Sequence, residues 1–169
     1  LEQNVLRETV ASQDQIAASH GGLNHIVFPS GVRDPARLGS YALDPVPIDL
    51  GRLEEFRGHL LLFFTGISRT ASEVADTFVP EIAKRTTLHA VAGSVKDGLD
   101  ILCGHGPIEP FGEILDSAWA MKRRLSDSVS TPEIDRLYAA ARSAGAIGGK
   151  LLGAGGGGFL LIFARPEDH

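Results

Sequence analysis

The sequence predicts an α+β domain in which helices cover one face of an antiparallel sheet. Three observations carry that prediction. Residues 59–65 and 159–164 are short, dense apolar runs of strand length. Between them lie three stretches whose apolar residues recur at helical spacing. The chain then finishes as strand, glycine turn, strand, the signature of a hairpin.

In chain order, residues 12–18 form a short helix stopped by Gly21 and Gly22. Leu23, His25 and Val27 then alternate with Asn24, Ile26 and Phe28 as in a strand. Four prolines and two glycines between 29 and 47 break any period, predicting a long connection with a brief strand at 46–50. Residues 59–65 are the strongest early strand, and Gly66 turns the chain into a helix with Ile67, Ala71, Val74 and Phe78 on its apolar side and Ser68 as a candidate cap. Pro80 ends it. A second helix places Leu88, Val91, Val95, Leu99 and Leu102 on one stripe facing a core. A third repeats Ile114, Ala118, Met121 and Leu125, with Trp119 at one edge and Lys122, Arg123 and Arg124 on a solvated last turn. Ser130, Thr131, Pro132 and Glu133 supply a cap, a first-turn proline and a first-turn acid for a helix through Ala141. Gly145, Gly148 and Gly149 end that helix, and strands at 150–152 and 159–164 flank the glycine run.

The composition bounds what such a domain does. With 169 residues, 43% hydrophobic and 22% charged, the chain is in the range of one soluble domain with a sizeable core. A net charge of -5 leaves no basic footprint, so no nucleic-acid partner is expected. The apolar runs are too short to span a bilayer as helices, so no membrane partner is expected either. Cys103 is the single cysteine, which leaves no intramolecular disulfide and fits a reducing, cytoplasmic setting. The six histidines show no paired metal spacing, and no G-x-S-x-G elbow is present, so neither a metal site nor a serine nucleophile is expected. The first residue is Leu1, Met121 is the only methionine, and no charged-then-apolar leader opens the chain, so a piece of a longer protein is expected.

Three places could carry chemistry. Gly153, Ala154, Gly155, Gly156, Gly157 and Gly158 sit between two strands, and glycine is costly to order. One reading is a hairpin turn. The other is close approach of backbone to an anion, with Lys150 just before it. The run has neither the GxxxxGK[ST] spacing of a Walker loop nor the GxGxxG of a dinucleotide site. Asp14, between Gln13 and Gln15, reads either as a first-turn helix acid or as a general base for an alcohol. Thr65, Gly66, Ile67, Ser68, Arg69 and Thr70 join a strand to a helix start, which suits a phosphate or sugar as well as a capped turn.

Taken in order, SQDQIAASHGGLN, FFTGISRTASEV and STPEIDRLYAAARSAGAIGGKLLGAGGGGFLLIF resemble the sugar-kinase branch of the GHMP kinases, over residues 8–169. The resemblance implies a ferredoxin-like C-terminal domain at 59–169, preceded at 1–58 by the end of an N-terminal kinase domain. It implies that the glycine loop, 153–158, closes a site near the phosphates of ATP. It makes Asp14 the catalytic residue for an anomeric hydroxyl, with D-glycero-D-manno-heptose 7-phosphate first and a fucose or galactose type as the alternative; by charge and position Arg69 and Lys150 are then candidates for the phosphate already on the sugar, with Gln13 and Thr65 as further substrate-binding candidates. A non-catalytic ferredoxin-like ligand-binding module is the other alternative. Mg2+ would accompany ATP, held mainly outside this chain. The family's nucleotide loop, of PxxxGLGSS type, is not in the sequence, so these residues alone are expected to bind ATP poorly and turn over little. Ala11 and Ser12 stand where a glycine-containing dipeptide is expected.

Overall fold

A computed structural model describes residues 13–28, 41–68 and 85–169, with 85–92 as backbone alone. Helix α1 (Gln13–His20) ends at Gly21 and Gly22, whose φ angles of 64° and 69° favour glycine. Strand β1 (Asn24–Val27) then pairs antiparallel with β2 (Ala42–Pro45), Asn24 opposite Pro45 and Val27 opposite Ala42. The strand expected at 46–50 is thus displaced, and residues 50–58 instead form helix α2 (Leu50–Gly58). Asp49 explains the helix, because its carboxylate accepts the Arg52 N–H at 2.8 Å as an N-cap. The buried Arg52 donates through Nη2 to the Ile101 carbonyl at 2.7 Å and pairs through Nη1 with Glu55 at 2.8 Å.

The main sheet is antiparallel in the order β3-β5-β4, from β3 (Leu60–Phe64), β4 (Gly148–Leu151) and β5 (Phe159–Phe163). Leu60 and Gly148 both lie opposite Phe163, on either side of the central strand. Against this sheet lie α3 (Arg85–Cys103), α4 (Pro110–Arg123) and α5 (Pro132–Ser143). The predicted cap of α5 is present, with Thr131 Oγ1 accepting the Ile134 N–H at 3.3 Å and Pro132 in the first turn.

Alternation along β5 feeds two clusters. Ile162 joins Leu61, Leu151, Leu160, Trp119 and Tyr138, while its neighbour Phe163 joins Leu60, Phe56, Leu102 and Ile108. Burying a side chain of Phe or Ile size stabilises the fold by about 1.5–3 kcal/mol. Trp119, expected at the edge of its stripe, is fully buried in the first cluster. The α3 stripe is narrower than expected, with Leu102 buried but Val95 45% exposed. The helix expected over 67–78 and the side chains of Leu88 and Val91 lie outside the described residues. Tyr138 donates its hydroxyl to Asp116 at 2.5 Å, and burial, then this carboxylate, hold its pKa well above the ordinary phenol value.

Gly148 and Gly149, expected to end a helix, are inside β4 instead. The reason is how closely α4 crosses that strand. A Cβ on Gly148 would stand 1.9 Å from the Gly112 carbonyl oxygen, and one on Gly112 would stand 2.8 Å from both Ile147 Cγ2 and Phe163 Cδ1. Glycine on both elements lets backbone rest on backbone. No helix among the described residues is long and apolar enough to cross a membrane.

Candidate functional site

The glycine segment joins β4 to β5, and the structure gives its composition a reason beyond turning. Gly153, Gly155, Gly156 and Gly158 take φ of 67°, 127°, 73° and 94°, a region costly for other residues. Gly155 and Gly157 are also closely confined. A Cβ on Gly155 would lie 2.7 Å from the Val129 carbonyl oxygen, and one on Gly157 would lie 2.5 Å from that of Ile67. The loop is therefore clamped between the turn that follows β3 and the one that precedes α5.

Hydrogen bonds complete the clamp. Gly156 N–H donates to Val129 O at 2.9 Å and Gly158 N–H to Ile67 O at 2.8 Å. Thr65 donates to Gly158 O twice, from its N–H at 2.9 Å and from its hydroxyl at 2.8 Å. Leu152 N–H closes the strand ends onto Phe159 O at 2.9 Å. Among the described residues, the N–H groups of Gly153, Ala154, Gly155 and Gly157 have no protein acceptor. Backbone donors without an acceptor among the described residues, beside lysines, are chemically suited to a multiply charged oxyanion.

The cations come from two elements. Lys150, near the end of β4, is half-buried, and burial lowers its pKa. Lys122, in the last turn of α4, donates through Nζ to Leu151 O at 3.4 Å and to Gly153 O. Burial brings its pKa down to about 8; the like charge of Lys150 adds to this, and Asp14 opposes it. The carboxylate of Asp14, exposed in the first turn of α1, thus acts on the ammonium that holds the glycine loop. Asp14 and Lys150, 136 positions apart in sequence, thus both bear on the charge of one lysine.

The other site residues read from the sequence are placed as follows. Thr65 touches the loop, but its hydroxyl is committed to Gly158 O and so shapes the site. Gln13 is exposed in the first turn of α1. Arg69 lies outside the described residues. Lys122, grouped by the sequence with Arg123 and Arg124 as a solvated face, is the functional candidate that reading missed. The available signal was its spacing three residues after Trp119, which puts it on the inward face of α4. The described residues contain no group of three or more His, Cys, Asp or Glu placed to hold a metal ion.

Residues 101–169 match the family model described as GHMP kinases C terminal. Over 168 residues, 98% of its length, the chain is 28% identical to the D-glycero-alpha-D-manno-heptose 7-phosphate kinase of Campylobacter jejuni. The chain spans 48% of that relative, about half its length. Its fold is shared with the mevalonate kinase of L. major, solved with R-mevalonate, at a TM-score of 0.67 and 22% identity over 89% of this chain and 43% of the other. It is shared equally with a D-glycero-D-manno-heptose 1-phosphate kinase from Bacteroides thetaiotaomicron, at a TM-score of 0.65 and 22% identity over 98% of this chain and 42% of the other.

Proposed function

We propose that this chain forms part of an ATP-dependent sugar kinase that phosphorylates the anomeric hydroxyl of a sugar phosphate, D-glycero-D-manno-heptose 7-phosphate before other sugars. The observation that supports the reading is the glycine loop itself, with Lys122 bonded to its Gly153 carbonyl and the charges of Lys150 and Asp14 both bearing on that lysine. In this reading the Asp14 carboxylate serves as the base, and the loop N–H groups serve the phosphate oxygens. The similarity to the Campylobacter jejuni enzyme supports the choice of acceptor.

In this reading Asp14 orients the anomeric hydroxyl and accepts its proton. The sugar oxygen bonds to the γ-phosphorus of ATP, the bond from that phosphorus to the bridging oxygen breaks, and ADP leaves. The unspent N–H groups of Gly153, Ala154, Gly155 and Gly157 balance charge on the transferred group. Lys150 and Arg69 bind the phosphate already on the sugar, and Gln13 and Thr65 border it. Magnesium would neutralise phosphate charge, but the described residues do not assemble a site for it, and no step here runs through it. The division of labour places the end of an N-terminal kinase domain at 1–58 and the C-terminal domain at 59–169. Residues 1–169 alone would turn over little, and the reaction would take place in the cytoplasm.

The test is ATP-dependent phosphorylation by the natural protein carrying this chain, across a panel of sugars and sugar phosphates. Heptose 7-phosphate should give the highest kcat/KM. Asp14→Asn should lower kcat by about 100-fold or more, the lower range for a general base. Full activity in that variant removes Asp14 from the mechanism, and silence of the wild type across the panel removes the kinase reading.

A further inference from the structure

Lys122 does something for the loop that the proposed reaction does not require of it. The backbone contact of Gly112 with Gly148 fixes α4 against β4 at one end of both. From Gly112 to Lys122 the helix rises about 15 Å, at roughly 1.5 Å per residue. From Gly148 to Gly153 the chain, if extended throughout, covers about 17 Å, at roughly 3.3 Å per residue. The two elements keep step, so a side chain in the last turn of α4 arrives where the strand gives way to the loop. The Nζ of Lys122 there meets the carbonyls of Leu151 and Gly153, which flank Leu152.

An ammonium has three donors and no acceptor, so two carbonyls leave it one. Carbonyl oxygens at the mouth of an anion site would repel the anion, and a cation bonded to them removes that repulsion while fixing their direction. The groups acting on the ammonium are Lys150 from β4 and Asp14 from α1, one opposing its charge and one favouring it. Arg123, the next residue on α4, is engaged elsewhere, 3.2 Å from Asp135 and over the ring of Trp119.

We propose that Lys122 is a positioning residue, a clasp from α4 onto the carbonyls of Leu151 and Gly153 that holds the glycine loop in its phosphate-accepting shape. The phosphate part rests on the kinase reading above; the clasp itself does not.

The experiment is hydrogen exchange on the natural protein carrying this chain, read at the protected amides of Leu152, Gly156 and Gly158, with amides of α5 as the internal reference. Lys122→Met keeps the length of the side chain and removes its donors. The loop amides should exchange about tenfold faster while α5 is unchanged, as the bonds from Nζ to the Leu151 and Gly153 carbonyls are lost. Lys122→Arg, which keeps the charge and the donors, should restore protection to within about threefold. Unchanged loop exchange in Lys122→Met overturns the clasp, and so does equal acceleration of loop and α5, which would mark general destabilisation. If Lys122→Met does not fold, Lys122→Arg decides alone, retained protection supporting the clasp and lost protection overturning it. In kinase assays Lys122→Met should raise KM for ATP about tenfold, with Lys122→Arg near wild type. A wild type without turnover but with the expected exchange pattern refutes the kinase reading and leaves the clasp standing.

Discussion

Replacing Gly148 by alanine tests the packing that places the site. The added Cβ would fall 1.9 Å from the Gly112 carbonyl oxygen, 2.8 Å from the Gly112 carbonyl carbon and 3.1 Å from the Asp116 nitrogen. All three are backbone atoms of α4, so no flexible side chain can swing aside. Ordinary contact begins near 3.4 Å, which requires helix and strand to part by more than an ångström. Overpacking of this kind costs about 1–3 kcal/mol where side chains yield, and a backbone clash belongs at or above the top of that range. Against a typical total of about 5–15 kcal/mol, a loss of about 3 kcal/mol moves a urea midpoint by more than 1 M at a slope of roughly 2 kcal/mol/M. The comparison variant is Gly153→Ala, where nothing lies within 4 Å and only a φ of 67° resists the substitution, a cost of about 1–2 kcal/mol. A Gly148→Ala protein less perturbed than Gly153→Ala in urea unfolding would refute the close crossing of α4 over β4.

Two further predictions follow from local chemistry. Thr131→Ala removes the acceptor for the Ile134 N–H and should lower stability by about 1 kcal/mol in urea or thermal unfolding; no loss would mean the cap is satisfied otherwise. Lys122 has a folded-state pKa of about 8 against an ordinary 10.5, so the unfolded chain binds more protons between those values and stability should rise with pH across that window. The gain is at most about 3 kcal/mol, reduced by solvent at the half-exposed ammonium. Lys122→Met should flatten the rise, and parallel curves for variant and wild type would refute it.

Much of the fold was legible because local signals agreed with tertiary demand. The cap and proline of α5, the apolar run of β3 and the closing hairpin all form where residue chemistry puts them. Most of the failures come from packing between distant elements. Gly148 and Gly149 look like breakers when read along the chain, but a helix packed on the strand makes them the residues that fit. Trp119 and Lys122 look peripheral by period, yet α4 is covered on more than one side, by the sheet and by Tyr138 of α5. Helix α2 was hidden by a proline-rich approach, although Asp49 carried a usable cap signal. For the candidate site, the glycine run and Asp14 were visible as residue types, but the bond of Lys122 to the Gly153 carbonyl depends on the packing of a helix against a distant strand.

The clamp on the glycine loop also limits how far that loop can travel between proteins. Its shape is written in carbonyls belonging to Val129 and Ile67 and in a threonine hydroxyl from the end of β3, none of them within the glycine run itself. Grafting the six residues onto another hairpin would transfer flexibility without form. What can be transplanted is the set of three turns together, so the unit of inheritance here is a junction of chain segments and not a contiguous motif.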